Sequence, residues 1–268
     1  MLAHFDLAQF DALHAIAGLL VGFLVGLTGV GGGSLMTPVL VLLFGVSPAT
    51  AVGTDLLFAS TTKIAGAAIH GSRASVDWTI VRRLAYGSVP AAVLTLLAMS
   101  GLGHPPRAAN HTMMVTLGVM LILTAVATLF QKQLAAYAKQ REAAPAGATP
   151  ARAAFTIALG ALLGVAVTMS SVGAGAIGVT ALLMLYPALR VARIVGSDIA
   201  HAVPLTMIAG FGHWVIGDVN MVLLLNLLVG SLPGVAIGSL LSTRSPDYVL
   251  RPVLAVVLLI SGYKLITG

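Results

Sequence analysis

Ten apolar stretches separated by short breaks run along the chain, at about residues 13–28, 35–46, 51–70, 78–99, 111–130, 154–169, 176–186, 191–215, 219–241 and 248–266. Crossing a hydrocarbon layer about 30 Å thick takes about 20 apolar helical residues. The pattern predicts an all-α integral membrane protein. Composition agrees: 8% of the 268 residues are charged, against about 25% in soluble domains, so a water-facing surface cannot be assembled. The absence of Cys excludes disulfides, thiolate metal sites and Cys nucleophiles. A net charge of +6 is carried by sparse residues between apolar segments, which makes it topological and gives no sign of nucleic acid as a partner. The N-terminus has acidic flanks and no small-residue cleavage site, so it does not read as a removable signal.

The second and seventh segments are too short to cross unaided. Each follows a small-residue break, GVGGGS at Gly29–Ser34 and SSVGAGA at Ser170–Ala176. The polar stretch Gln131–Arg152 reads as an exposed linker, giving an N-terminal repeat at 1–130, a linker at 131–153 and a C-terminal repeat at 154–268. Suppose the linker is cytoplasmic and each half crosses an odd number of times. Then Arg73, Arg82, Arg83, Lys132, Lys139, Arg141, Arg152, Arg190, Arg193, Arg244 and Arg251 lie at inner ends, eleven of the fourteen Lys and Arg. That positive-inside bias favours this topology, with both termini outside. Charge leaves open whether each short pair crosses twice or forms a re-entrant hairpin.

The halves align with each other. Gly22, Val30, Gly31 and Gly33 match Gly164, Val172, Gly173 and Gly175 at an offset of 142. Gly53, Asp55, Ala59, His70, Val76, Leu84, Gly87, Ser88 and Pro90 match Gly196, Asp198, Ala202, His213, Val219, Leu227, Gly230, Ser231 and Pro233 at an offset of 143. With an odd number of crossings before it, the second copy is expected to lie inverted. Inverted repeats with interrupted helices characterise secondary transporters, whose substrates sit near the midplane.

With GLTGVGGGSLMTP followed by AVGTDLL, His70–Gly71, the GSVP of segment four and the paired motifs of the second half, nearly the whole chain resembles the TauE/SafE family of membrane permeases. The resemblance implies a multi-pass protein of the cell membrane (the bacterial inner membrane) that carries sulfite, organosulfonates or related sulfur oxyanions, with export the usual description. The second half departs from the motif: Ala174 replaces a glycine, Thr180 stands opposite Pro38, and no lysine mirrors Lys63.

A helix that starts inside a membrane presents unpaired N–H groups and about half a positive charge. Gly31, Gly32 and Gly33 let an anion approach the backbone, and Ser34 adds a hydroxyl. Thr28, Ser170, Ser171, Gly173 and Gly175 are the inverted counterpart. Close helix packing through small residues is the competing account. Lys63 lies about 18 Å into segment three at 1.5 Å per residue. It balances an anionic substrate, pairs indirectly with Asp55 eight residues before it, or snorkels to the cytoplasm. Asp55 and Asp198 either cap segments three and eight or line the site. His70 and His213 occupy mirrored positions near opposite faces and His201 lies near the midplane. Proton coupling or gating and plain interfacial anchoring are both open for them. Pro90 and Pro233 each remove one helical hydrogen bond, and Trp78 and Trp214 fall at segment ends, as interfacial aromatics do. No spacing supports a metal site, and no cofactor is implied.

The expected activity is alternating-access secondary transport of small anions, with no nucleotide-binding segment for direct ATP drive. A passive anion channel is the first alternative. An intramembrane hydrolase using Ser34 with His70 or His201 is the second, opposed by Ala176 standing opposite Ser34. Partners are the small anion and the bilayer, and small-residue helix faces permit a homodimer.

Overall fold

The structure, a computed structural model, describes residues 10–28, 33–70, 76–101, 106–140, 150–241 and 247–268. Those residues form ten helices: α1(Ala12–Thr28), α2(Gly33–Leu42), α3(Pro48–His70), α4(Trp78–Gly101), α5(Pro106–Gln140), α6(Pro150–Ser170), α7(Ala176–Leu185), α8(Val191–Ile216), α9(Met221–Leu241) and α10(Asp247–Thr267). Each matches one of the ten apolar segments. Among the described residues, stretches of α4, α5, α6, α8, α9 and α10 are long and apolar enough to cross a membrane. The protein is therefore all-helical and multi-pass. The clearest difference in extent is at α5, whose 35 residues carry the helix through Gln131–Gln140. Gln, Lys, Leu and Ala favour a helix in water as well as in lipid, so the apolar segment ends before the helix does. The remainder of the linker, 141–149, lies outside the described residues.

Glycine sets how closely the halves approach. In α1, a Cβ on Gly18, Gly22 or Gly26 would run into the carbonyl oxygen of Leu227, Ser231 or Val235 in α9. In return Gly230, Gly234 and Gly238 lie against the carbonyls of Ala15, Leu19 and Phe23. The rising numbers on both sides make α1 and α9 parallel. Helices α4 and α6 repeat the arrangement, with Gly160 and Gly164 on the carbonyls of Leu84 and Ser88 and Gly87 on that of Ile157. These contacts join corresponding positions at the 142 and 143 offsets. Backbones this close replace side-chain burial with dispersion and weak Cα–H···O contacts, as association within lipid requires.

Helices α3 and α8 pack on each other at the centre. Gly53 meets the His213 Cβ and Gly210 meets Leu57, so these two helices run antiparallel. Helices α5 and α10 are antiparallel too, with Gly118 against Gly262 and the Gln131 side chain accepting a hydrogen bond from Arg251. The helix starts also agree between halves. The Asp77 N–H donates to the Ser197 hydroxyl at 2.8 Å, and the Asn220 N–H to the Thr54 hydroxyl at 3.1 Å. Asp77 Oδ1 accepts from the Thr79 N–H at 3.1 Å, and Asn220 Oδ1 from that of Leu223 at 3.0 Å, capping α4 and α9. Each cap therefore ties one half to the other. Pro90 and Pro233 sit on outward faces of α4 and α9, as expected for residues that remove a backbone donor. Trp78 and Trp214 are both exposed at helix ends.

Candidate functional site

The break between α6 and α7 follows from local chemistry. The Ser170 hydroxyl donates to the Ala166 carbonyl at 2.7 Å and accepts from the Val172 N–H at 3.2 Å, closing α6. Ser171, Gly173 and Gly175 then take φ of +58°, +123° and +120°, values that glycine adopts without a Cβ clash. Helix α7 starts at Ala176 with no side-chain cap. The break itself supplies the Gly173 carbonyl to the Gly178 N–H at 3.2 Å, and the N–H groups before it have no side-chain cap.

Carboxylates from the two central helices meet these short helices. Asp55 of α3, fully buried, accepts at Oδ2 from both the N–H and the hydroxyl of Thr37 in α2, the former at 3.2 Å. Asp198 of α8, also buried, is approached by the Gly175 amide, and its Oδ1 lies where a Cβ on Gly178 would stand. Each carboxylate thus lies at the N-terminal part of the neighbouring short helix, where partial positive charge favours it. The sequence offered capping of their own helices or lining of the site; the geometry instead ties them to α2 and α7.

Lys63 of α3 is a third buried ionisable residue. It is 8% exposed and interacts electrostatically with Asp198 first and Asp55 second. Among the described residues, neither carboxylate comes within the 4.0 Å of an ion pair. The leading partner is on the other half of the chain, whereas the sequence suggested only Asp55 on the same helix. His201 of α8 interacts electrostatically with Lys63. Its Nε2 bonds the Ser88 hydroxyl of α4 at 2.7 Å, and its Nδ1 has no partner. The Ser171 hydroxyl faces Asp55 without closing a hydrogen bond to it. Asp55 Oδ1 and Asp198 Oδ1 are likewise without partners. Buried polar atoms are ordinarily satisfied; here Asp55 Oδ1, Ser171 Oγ, Asp198 Oδ1 and His201 Nδ1 are open.

Other expected site residues are engaged elsewhere. The Thr28 hydroxyl bonds the Leu24 carbonyl of its own helix at 2.9 Å. His213 is held at both ring nitrogens, Nε2 by the Thr168 carbonyl at 2.9 Å and Nδ1 by Asp218 at 3.2 Å. Gly33 opens α2. Gly31 and Gly32 lie outside the described residues, as do the side chains of Ser34 and His70. Of the two bases expected for a Ser34 hydrolase, His201 bonds Ser88 through Nε2 and the His70 side chain lies outside the described residues. Reading the sequence missed three contributors, Thr37, Ser88 and Gly178. Ser88 alone carried a signal, its place in the repeated GSVP and GSLP.

Replacing Thr37 with Val keeps the shape and removes the hydroxyl donor to Asp55. Loss of one donor to a buried charged acceptor costs about 1–3 kcal/mol. Thermal unfolding in detergent is expected to show a lowered midpoint for this variant, and none for Thr28→Val.

An all-helical, multi-pass chain whose buried ionisable residues lie where central helices meet is a membrane transporter by class. The chain belongs to the TauE/SafE sulfite exporter family, whose model matches residues 14–265. It is 38% identical over 259 residues to the probable membrane transporter protein YjnA of Bacillus subtilis (strain 168), covering 94% of this chain and 98% of that one. It is 28% identical over 251 residues to the probable membrane transporter protein YdhB of the same organism, covering 92% and 96%. A probable membrane transporter protein of Xylella fastidiosa (strain 9a5c) is 27% identical over 232 residues, covering 85% and 83%. No solved structure matches the chain.

Proposed function

We propose that the chain is a secondary carrier for small anions, sulfite and organosulfonates foremost, working by alternating access between two inverted halves. The linker 131–153 then lies in the cytoplasm and both termini outside. Inversion is supported by direction: α3 and α8 are equivalent in the repeat yet antiparallel, and so are α5 and α10. Binding near the midplane is supported by the reach of both halves into one cluster.

The observation that carries the reading is Lys63, a buried cation outside ion-pair distance of either carboxylate. A buried ammonium with no contact partner is costly, and a bound anion supplies the direct contact that neither carboxylate makes. The Ser171 hydroxyl is a further donor. With Ser88 donating to Nε2 of His201, Nδ1–H of the ring becomes another. An ammonium and two neutral donors suit a sulfur group bearing three oxygens, the common part of sulfite and a sulfonate. Transport direction follows the gradients, because inverted halves expose the same site to either side.

The test is a counterflow screen in proteoliposomes across sulfite, sulfate, thiosulfate, sulfoacetate, methanesulfonate, taurine and lactate. Saturable counterflow of sulfite and of at least one sulfonate is expected. Single-channel currents in place of counterflow would make the protein a channel, and absence of flux for every anion would overturn the reading.

A further inference from the structure

The buried cluster does not balance in charge. Lys63 supplies one positive charge, while Asp55 and Asp198 supply two negative ones. A monoanion entering the fully ionised cluster raises its charge from −1 to −2 in a setting where charge is poorly screened. One proton taken up with the anion restores −1, the charge of the empty site. The two carboxylates are not equivalent as places for that proton. Asp55 accepts two hydrogen bonds from Thr37 on one oxygen, and the Ser171 hydroxyl stands beside it. Asp198 has only the Gly175 amide, and its Oδ1 is bare against the hydrogen-only side of Gly178. Asp198 leans first on Lys63, the group the entering anion also claims, whereas Asp55 keeps its Thr37 donors, so anion binding takes support from Asp198 and the proton goes there.

We propose that Asp198 is the coupling site: its Oδ1 takes a proton from the water on one side as the anion binds and returns it to water on the other side. One proton then accompanies each monoanion, and transport is electroneutral. The titratable groups around it are Lys63 and, beyond it, Asp55 on α3, and His201 one turn along α8. From α7 it meets backbone only, at Gly175 and Gly178, among the described residues. Arg193, nearer the start of α8, is paired with Asp77 at 3.0 Å. The half-one equivalent of Gly178 at the 142 offset is Met36, so the glycine beside Asp198 Oδ1 has no counterpart in the first half. This inference rests on the anion-carrier reading and adds the coupling ion and its residue.

The experiment uses the full chain in proteoliposomes with a trapped pH dye and methanesulfonate as probe, a sulfonate that stays a monoanion across neutral pH. Net methanesulfonate entry is expected to acidify the lumen by one proton per anion. It should be unmoved by a clamped membrane potential, and slower at pH 8 than at pH 6 by about tenfold, because binding needs the protonated carboxylate. In Asp198→Asn, proton entry should vanish and whatever flux remains should change less than about twofold over that range. Net methanesulfonate entry without proton entry, or net flux driven by the potential, overturns the coupling role and leaves the carrier reading standing. Absence of methanesulfonate counterflow in the wild type overturns the sulfonate reading and the coupling role with it. Because the first readouts need only the wild type, a poorly folding variant does not decide the matter.

Discussion

Replacing Lys63 with methionine is expected to cut anion flux per folded molecule at least about a hundredfold. Methionine keeps most of the stem's volume and removes the charge. At about 4 Å, with an effective dielectric near 20, one ion pair is worth about 4 kcal/mol, and each 1.4 kcal/mol is about tenfold in affinity. The expected loss lies well inside that range because part of the attraction is already spent on Asp198 and Asp55. Folding suffers less, since the ammonium closes no ion pair that its loss would break. Measuring counterflow against the amount of monodisperse protein separates the two effects. Equal flux per folded molecule would remove Lys63 from the path.

The second large effect is on assembly. Gly87→Val places a Cβ into the Ile157 carbonyl of α6, and Gly230→Val does the same to the Ala15 carbonyl of α1. A backbone atom cannot swing aside as a flexible side chain can, so the paired helices must separate along their length. Overpacking costs about 1–3 kcal/mol where neighbours yield, and a collision with backbone belongs at or above the top of that range. Each variant is expected to lose most of its monodisperse yield in detergent, and the double variant nearly all. Gly101→Ala, at the end of α4 with nothing within 4 Å, is the control and should be neutral. Normal yield of both valine variants would show that the glycine faces are not the seams of the fold.

Much of the architecture was legible because membrane crossing imposes length and apolarity on each segment separately. All ten helices were visible as apolar runs, and the short α2 and α7 were visible behind their glycine breaks. Offsets of 142 and 143 located the glycines that touch across α1–α9 and α4–α6. The far end of α5 was hidden because hydropathy reports lipid contact, whereas Gln131–Gln140 is helical through propensity. The buried polar cluster was legible as residue types and not as bonds. Lys63, Asp55, Asp198, His201 and Ser171 were all named. That the Thr37 side chain meets Asp55, or that Ser88 meets His201 across 113 positions, depends on helix rotation, which a divergent repeat does not fix. His213 shows the converse. It mirrors His70 in sequence, but its partner Asp218 has Ser75 at the equivalent position, so the repeat does not carry the Asp partner with it.

The natural chain lacks cysteine, so a single Ser171→Cys reports on the centre without a background. In membrane vesicles of both orientations, a charged thiol reagent should modify this position from either face, with sulfite or methanesulfonate slowing the reaction from both. Modification from one face only, or rates indifferent to the anion, would contradict a shared midplane site for which the two halves take turns in opening.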